Sequence, residues 1–193
     1  MSRWAPDSAL RLERAALELF SEQGYTATTV PQITARAGLT PRTFFRHFVD
    51  KREVLFLRER EFPTVVSTLL KSAPPALGPL DLIMYGFETI VSTQFDAWRG
   101  DMILRRAVIQ SDEHLREREL LKSSMLSAAI RQAVVEYGVE PQDARVLAPF
   151  SVLVFDLALA SWLDGETEGS LLEILRATRK NMQNVILRTT PLM

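Results

Sequence analysis

Residues 28–48 read TTVPQITARAGLTPRTFFRHF, and the helix-start and helix-stop signals in this stretch decide the fold. Thr29 and Gln32 have the T-x-x-Q spacing of a capping box at the start of a helix. Gly38 ends that short helix, and Thr40 can cap a second one. Each helix carries a proline in its first turn, where the missing N–H costs little. Two short helices joined by a tight turn that contains glycine predict a helix-turn-helix.

The two faces of the predicted motif differ in chemistry. The apolar residues that we expect to pack onto a preceding helix are Val30, Ile33, Ala37, Leu39, Phe44 and Phe48. The polar residues on or near the opposite side are Thr40, Arg42, Thr43, Arg46 and His47. Because the second helix of such a motif can enter the major groove of DNA, we predict that Arg42 reads a base. Two hydrogen bonds from arginine to guanine give roughly 1–3 kcal/mol of discrimination. The same geometry also occurs in proteins that never touch DNA.

Charge is unevenly spread along the chain. The net charge is −1 over 193 residues, but residues 1–60 hold ten Lys/Arg against seven Asp/Glu. Residues 36–52 contain five Lys/Arg residues and a single acidic residue, Asp50. A basic spot on an otherwise acidic protein favours a local polyanion contact, although solvated cationic faces are also common.

Composition restricts the location and the chemistry. The chain has no cysteine and is 47% hydrophobic, which favours a folded protein in a reducing interior, so we expect a cytoplasmic location. Residues 1–20 carry charges through any apolar stretch and predict an amphipathic helix, not a signal peptide. The two histidines, His47 and His114, show no metal or triad spacing, and no glycine-rich phosphate loop is present. We therefore predict no enzyme activity, no catalytic residue, no metal and no cofactor.

Helical periodicity continues along the rest of the chain and predicts an all-α protein of about nine helices. Helix one is expected over residues 7–23, and a fourth helix follows an Asp50 cap and is kinked or ended by Pro63. A loop over residues 71–80 follows. The remaining helices are predicted near 80–98, 102–110, 115–138, 142–164 and 167–188, with a break at Gly100.

The apolar segment 146–163 is nearly long enough to span a membrane. Asp156 in its middle, Pro149 near its start and its acidic flanks exclude that interpretation, and no membrane partner is predicted. A helix that is apolar all round is more often buried on several sides. Since the next helix is also apolar on one face, we expect a homodimer in which two helices from each chain form a four-helix bundle.

The run ALELFSEQGYTATTVPQITARAGLTPRTFFRHFVDKREVL, residues 16–55, resembles the DNA-binding domain of the TetR family of bacterial transcription regulators. It follows that family's order of helix, G-Y, T-T/S-V, I, A-G-L/V, T, F and K. The resemblance implies a DNA-binding domain over residues 1–55 and a helical effector-binding and dimerisation domain over residues 56–193. The residues that align with positions typically touching DNA are Thr28, Thr40, Arg42, Thr43, Phe45, His47 and Lys51. Phe45 replaces the usual tyrosine and lacks its hydroxyl, and Arg42 replaces a frequent glycine.

The resemblance also implies a ligand pocket in the second domain. The candidate residues are an apolar set at helical spacing with two polar groups: Met84, Phe87, Phe95, Trp98, Met102, Arg105, Phe155, Asp156 and Trp162. Such stripes are also typical of an ordinary core. We expect a dimeric repressor that a small, largely apolar effector releases from a palindromic operator in double-stranded DNA. A transcriptional activator or a helical protein-interaction module with the same fold remains the alternative.

Overall fold

The computed structural model describes residues 8–187, apart from the side chains of residues 94, 96 and 97. Within these residues the chain forms eight α-helices and one 3-10 helix and no strand, which confirms the all-α prediction. In chain order they are α1 (Ser8–Gln23), α2 (Val30–Arg36), α3 (Pro41–His47), the 3-10 segment (Arg52–Glu61), α4 (Phe62–Lys71), α5 (Pro79–Gln110), α6 (Glu113–Glu136), α7 (Pro141–Asp164) and α8 (Leu171–Leu187). The predicted first residue of helix one, Asp7, and the predicted last residue of the final helix, residue 188, lie outside the described residues.

Two compact units divide the chain. The first runs to Arg60 and resumes with Asp101–Lys122, and the second comprises Glu61–Gly100 and continues from Ser123. Helix α5 therefore contributes its residues up to Gly100 to the second unit and the rest to the first. The assignment of separate functions to residues 1–55 and 56–193 stays a prediction.

The core of the first unit is built by the apolar face of α1 and by the helix-turn-helix. Ile33 and Phe44 are fully buried, and Phe48 is 1% exposed. Val30 and Leu39 pack against this core from its edge. The predicted apolar face of the motif is thus confirmed. The residues 101–122 complete the core with Val108, Ile109 and Leu115.

The predicted local signals at the motif are also observed. The Gln32 side-chain oxygen accepts a hydrogen bond from the Thr29 backbone N–H at 2.8 Å, which is the returning half of the capping box. The Thr40 hydroxyl accepts from the Thr43 N–H at 3.2 Å and caps α3. Gly38 has a positive φ of 62°, which allows the chain to turn between the two helices.

The segment after the motif differs from the prediction. Residues 52–61 form a 3-10 segment whose helical dihedrals are broken at Phe56, with φ −118° and ψ 21°. Asp50 caps its start, as expected, by accepting from the Arg52 and Glu53 N–H groups at 2.8 and 3.2 Å. Pro63 lies in the first turn of α4, where it opens a helix instead of ending one.

The predicted helix break at Gly100 is wrong. Helix α5 is continuous over Pro79–Gln110 and passes through Gly100. A glycine inside a helix costs only about 1 kcal/mol relative to alanine, so a 32-residue helix can absorb it. The last helix also starts later than predicted, because Ser170 and Glu173 form a capping box, in which the Ser170 N–H donates to the Glu173 carboxylate at 2.9 Å.

The core of the second unit lies where α7 packs against α8. Val154, Leu171 and Leu175 are fully buried there. By length and composition, α7 is also the one helix of the described chain that could cross a membrane. Its most apolar stretch of 18 residues has a mean hydropathy of 1.9, and 39% of that stretch is buried inside the protein. The core helix of a water-soluble protein passes the same test.

Candidate nucleic-acid interface

Helix α3 is anchored on one side by aromatic packing. The Phe44 and Phe48 rings lie with their centroids 5.3 Å apart, and both side chains are buried. Phe45 packs its edge against Phe44 at 5.4 Å, yet remains 58% exposed. Because residues four apart share one face of a helix, burying Phe44 and Phe48 turns the side chains at other positions outwards.

The start of α3 presents hydrogen-bonding groups at the surface. The Thr40 and Thr43 hydroxyls lie 3.1 Å apart. Arg42, next to them, is exposed, and no hydrogen bond or ion pair engages it within the described part of the chain. A free guanidinium beside two hydroxyls at a helix start is the arrangement with which a recognition helix contacts bases and phosphates.

His47, at the end of α3, is held by a contact that the sequence did not reveal. Its Nε2 lies 2.9 Å from the Ser8 hydroxyl at the start of α1. Burial, together with the positive charges of Arg46 and Arg60, lowers the pKa of His47. The imidazole is therefore predominantly neutral at neutral pH, and Arg46 and Arg60 supply the positive charge around it.

Arg60 supports α3 from the far end of the 3-10 segment, and sequence reasoning missed it. Its Nη2 donates to the His47 carbonyl at 2.5 Å, and its guanidinium lies 5.6 Å from the centroid of the Phe48 ring. Cations stabilise the carbonyl end of a helix because the helix dipole is negative there. The separation of thirteen residues between Arg60 and His47 leaves no periodic signal that could have identified the pair.

The side chains of Lys51 and Thr28, which align with positions that typically touch DNA, are engaged within the protein. The Lys51 ammonium donates to the carbonyls of Tyr25 and Thr28 at 2.7 and 2.8 Å, and burial lowers its pKa. The Thr28 side chain is 1% exposed, and its hydroxyl donates to the Gly24 carbonyl at 2.8 Å. Both side chains fix the turn between α1 and α2 because they satisfy carbonyls that no helix uses. Their DNA contacts stay predictions, which require these side chains to rearrange or to act through the backbone.

Two cations at the ends of the basic spot of residues 36–52 are paired with carboxylates. Arg36 forms a bidentate pair with Glu22 at 2.8 and 2.9 Å. Arg52 lies 3.5 Å from Asp50 and from Glu53. The positive charge available to a polyanion is therefore concentrated on α3.

Arg105 and Asp156, the two polar candidates for the ligand site, belong to different units. Arg105 donates to the Glu13 carboxylate at 2.6 Å and to the Leu55 carbonyl, all within the first unit. Asp156 lies in the second unit, where it accepts from the Ser123 hydroxyl at 2.9 Å. Arg105 is therefore engaged within the first unit, Met102 lies in the same unit, and the ligand-binding role of both residues stays a prediction.

A second arginine of residues 101–122 ties the 3-10 segment into the first unit. Arg118 donates to both carboxylate oxygens of Glu53, at 2.9 and 3.0 Å, and to both of Glu59, at 3.1 and 2.7 Å. Its guanidinium also lies 4.5 Å from the centroid of the Phe56 ring. The Arg118 hydrogen bonds lower the pKa of Glu53, whereas burial raises the pKa of Glu59 in spite of them.

The remaining candidate ligand residues lie in the second unit. Phe87 stacks on Phe155 at 4.8 Å, and Phe95 meets Phe155 edge-on at 6.0 Å. Met84 is fully buried, and the Trp98 ring lies 6.3 Å from Phe95. These side chains contact one another as a core does, and their role in ligand binding stays a prediction.

Trp162 has a partner that sequence reasoning missed. Arg99 donates from Nη2 to the Trp162 carbonyl at 2.8 Å and lies over the indole ring at 5.2 Å. An open groove of about 440 Å³ borders the pair, lined by Arg99, Trp162, Gly165, Thr167, Glu168 and Gly169. Only Trp162 of this set was a candidate, because the other residues belong to a loop or stand in an ordinary helical position.

Comparison with known proteins relates the chain to transcriptional regulators. The sequence model of the family described as "Bacterial regulatory proteins, tetR family" matches residues 13–57. The HTH-type transcriptional regulator TcmR of Streptomyces glaucescens is 38% identical over 81 residues, which are 42% of this chain and 36% of TcmR. The uncharacterized HTH-type transcriptional regulator TtgW of Pseudomonas putida is 31% identical over 129 residues, 66% of this chain and 90% of TtgW.

Solved structures extend the likeness of fold to nearly the whole chain. Thermus thermophilus FadR, a TetR-family transcriptional repressor solved in complex with lauroyl-CoA, superposes with a TM-score of 0.60 at 19% identity, over 96% of this chain and 98% of that one. At that identity the likeness concerns the fold alone. By sequence, the chain spans only about a third of the length of TcmR and most of TtgW.

Proposed function

This chain belongs to the TetR family of bacterial regulatory proteins, and we propose that it is a sequence-specific DNA-binding transcriptional regulator. The observation that carries the proposal is the outer face of α3, where Arg42, Phe45 and Arg46 are exposed above a buried aromatic anchor. A short helix held rigidly on one side and cationic on the other fits the major groove. TcmR and TtgW are both named as transcriptional regulators, so we propose no enzyme activity for this chain.

Each exposed group of α3 has a task in this proposal. Arg42 donates to guanine O6 and N7, and Thr40 and Thr43 donate to phosphates or bases near the helix start. Phe45 supplies ring contact to the sugar-phosphate backbone or a thymine methyl group. Arg46 supplies charge, whereas His47 is neutral before DNA binds and gains a proton more readily beside phosphates.

We propose a homodimer through α7 and α8. Val146, Leu153 and Leu157 are 65%, 49% and 47% exposed and share one face of α7 at spacings of seven and four. Val185 and Ile186, near the end of α8, are 59% and 65% exposed. An exposed apolar row on α7, with further exposed apolar residues at the end of the neighbouring α8, is typical of a surface that a partner covers. Two helices from each chain then form a four-helix bundle.

A dimer explains why the operator is palindromic and how an effector can release the protein from it. Two recognition helices about 34–36 Å apart read the two halves of a palindromic site in successive major grooves. An effector that prefers a dimer with another spacing lowers the affinity for DNA by linkage. The protein then acts as a cytoplasmic repressor that a small, largely apolar ligand releases. Thermus thermophilus FadR, which shares the fold, was solved with lauroyl-CoA, a ligand with an apolar acyl chain but a large and charged head group.

The test is selection of binding sites from randomised palindromic DNA, followed by titration of the selected duplex at several salt concentrations. We expect a site with two half-sites and an affinity that falls steeply as salt rises, because phosphate contacts release counterions. Arg42→Ala is expected to relax the preference at one base pair of each half-site. Arg131→Ala, an exposed arginine on α6, is the matched control. Absence of any enriched sequence at low salt contradicts DNA binding and favours a protein-interaction module; activation of a reporter in place of repression contradicts the repressor assignment.

A further inference from the structure

The groove beside Arg99 shares one lining residue, Trp162, with the set predicted to line a ligand pocket. It is bordered by Arg99 of α5, by Trp162 near the end of α7 and by the turn of residues 165–169, all in the second unit. Its volume of about 440 Å³ lies within the range of sites for small molecules. Gly165 and Gly169 have positive φ values of 69° and 118°, so the turn follows a path that other residues rarely adopt.

Arg99 is both fixed and incompletely bonded. Its Nη2 donates to the Trp162 carbonyl at 2.8 Å, and its guanidinium lies over the indole ring, so the side chain cannot swing freely into solvent. Its Nε is buried and has no hydrogen-bond partner among the described residues. Burying part of a guanidinium charge is unfavourable, and an anion in the groove beside the guanidinium offsets that charge.

The surroundings of Arg99 also offer an apolar surface. Phe95 lies four residues before Arg99 on α5 and therefore on the same face of the helix. Phe95 and Trp98 are both half-buried, with their ring centroids 6.3 Å apart. Phe95 does not line the groove itself, but a ligand whose acidic group meets Arg99 can reach the Phe95 ring by extending one helical turn back along α5.

We infer that this groove binds an organic monoanion, a carboxylate carried on an apolar chain or ring, with its acidic group at Arg99. The regulatory meaning of the site rests on the proposed function, in which the same ligand is the effector; the binding itself does not. Glu168 also lines the groove, but it is exposed, and its carboxylate opposes the ligand's charge from the rim. That opposition supplies a test in which affinity is gained.

The experiment compares 4-phenylbutyrate with its uncharged analogue 4-phenylbutyramide by calorimetric titration of the full-length protein without DNA. We expect the carboxylate to bind at least about tenfold more tightly than the amide, since hydrogen bonds from a charged donor to a charged acceptor are the stronger kind. Arg99→Gln is expected to abolish the difference. Arg131→Gln should leave both affinities unchanged.

Glu168→Gln keeps the test decisive if Arg99→Gln disturbs the end of α7. This exposed substitution should strengthen phenylbutyrate binding about two- to fivefold, in the range expected for a charge at a surface, and a folding defect cannot imitate a gain. Equal affinity for acid and amide, no phenylbutyrate binding in the millimolar range, or weaker binding to Glu168→Gln would each overturn the inference. The last result would indicate a cationic or zwitterionic occupant.

A parallel titration with the selected DNA duplex separates this inference from the proposed function. Binding of phenylbutyrate with the expected Glu168→Gln gain, together with no DNA binding, supports the groove and contradicts the regulator. Normal DNA binding by a protein that distinguishes neither acid from amide contradicts the groove alone.

Discussion

Removing the Arg118 side chain is expected to destabilise the first unit more than any surface substitution. The Arg118 side chain is 10% exposed and that of Glu59 only 4%, so Arg118→Met leaves the Glu59 carboxylate buried without its cation. Breaking a buried ion pair from one side costs about 3–5 kcal/mol. Glu53 adds little to this figure, because its side chain is 23% exposed and solvent screens it.

The pH dependence of that loss follows from the two carboxylates. Burial raises the pKa of Glu59 above its unfolded value, so protonation favours folding, and this contribution is present at low pH and lost as pH rises. The Arg118 hydrogen bonds lower the pKa of Glu53, so this contribution is present above the unfolded pKa and lost as pH falls. The variant loses the second contribution and enlarges the first, because Arg118 no longer opposes the rise in the pKa of Glu59. Its deficit relative to the native protein should therefore shrink between about pH 7 and about pH 4.5.

Urea unfolding followed by circular dichroism at several pH values measures both effects. Arg116→Met is the matched control, because Arg116 is exposed and donates to the Gln110 carbonyl. It should change stability by no more than about 0.5 kcal/mol. Adding Glu59→Gln to Arg118→Met should restore part of the loss, since the buried charge is then gone. A loss no larger than that of Arg116→Met, or a deficit that grows on acidification, refutes the reasoning.

Three further predictions concern the interface, the dimer and the ligand. The lowered pKa of His47 means that the folded state binds fewer protons than the unfolded one, so stability should fall as pH drops below about 6.5, and His47→Gln should flatten that fall in the same urea assay. Leu153→Glu places a charge in the exposed row of α7 and should shift the protein to a monomer in sedimentation velocity, whereas Arg145→Glu on the same helix should not; an unchanged dimer assigns the interface elsewhere. Trp98→Ala should weaken effector-induced DNA release measured by fluorescence anisotropy while DNA affinity stays the same, and unchanged release removes Trp98 from the ligand site.

The helix-turn-helix could be predicted from the sequence because its determinants are local. Thr29, Gln32 and Thr40 act on backbone groups no more than three residues away, and Gly38 acts on its own dihedral angles. The apolar spacing of Phe44 and Phe48 likewise fixes which side of α3 is buried. The exposed cationic face that carries the proposed function follows from the same periodicity.

The predictions of helix breaks failed where the local sequence signal was weak compared with the packing of the helix. Gly100 has a poor helix propensity, but the cost is small enough for a long helix to continue through it. Pro63 is compatible with either the end or the first turn of a helix, and the actual kink lies at Phe56, which has no distinctive sequence signal.

The sequence by itself determined the all-α class, the bounds of the helix-turn-helix and the outward side of α3, since backbone capping and helical period act within a few residues. Only the tertiary structure decided the partners of the long polar side chains. Lys51 donates to carbonyls more than twenty residues away, and Arg105 and Arg118 reach carboxylates 92 and 65 residues away. Arg99 likewise meets the Trp162 carbonyl across 63 residues. A flexible cation takes whichever acceptor the fold brings within reach, and chain spacing carries no record of that choice.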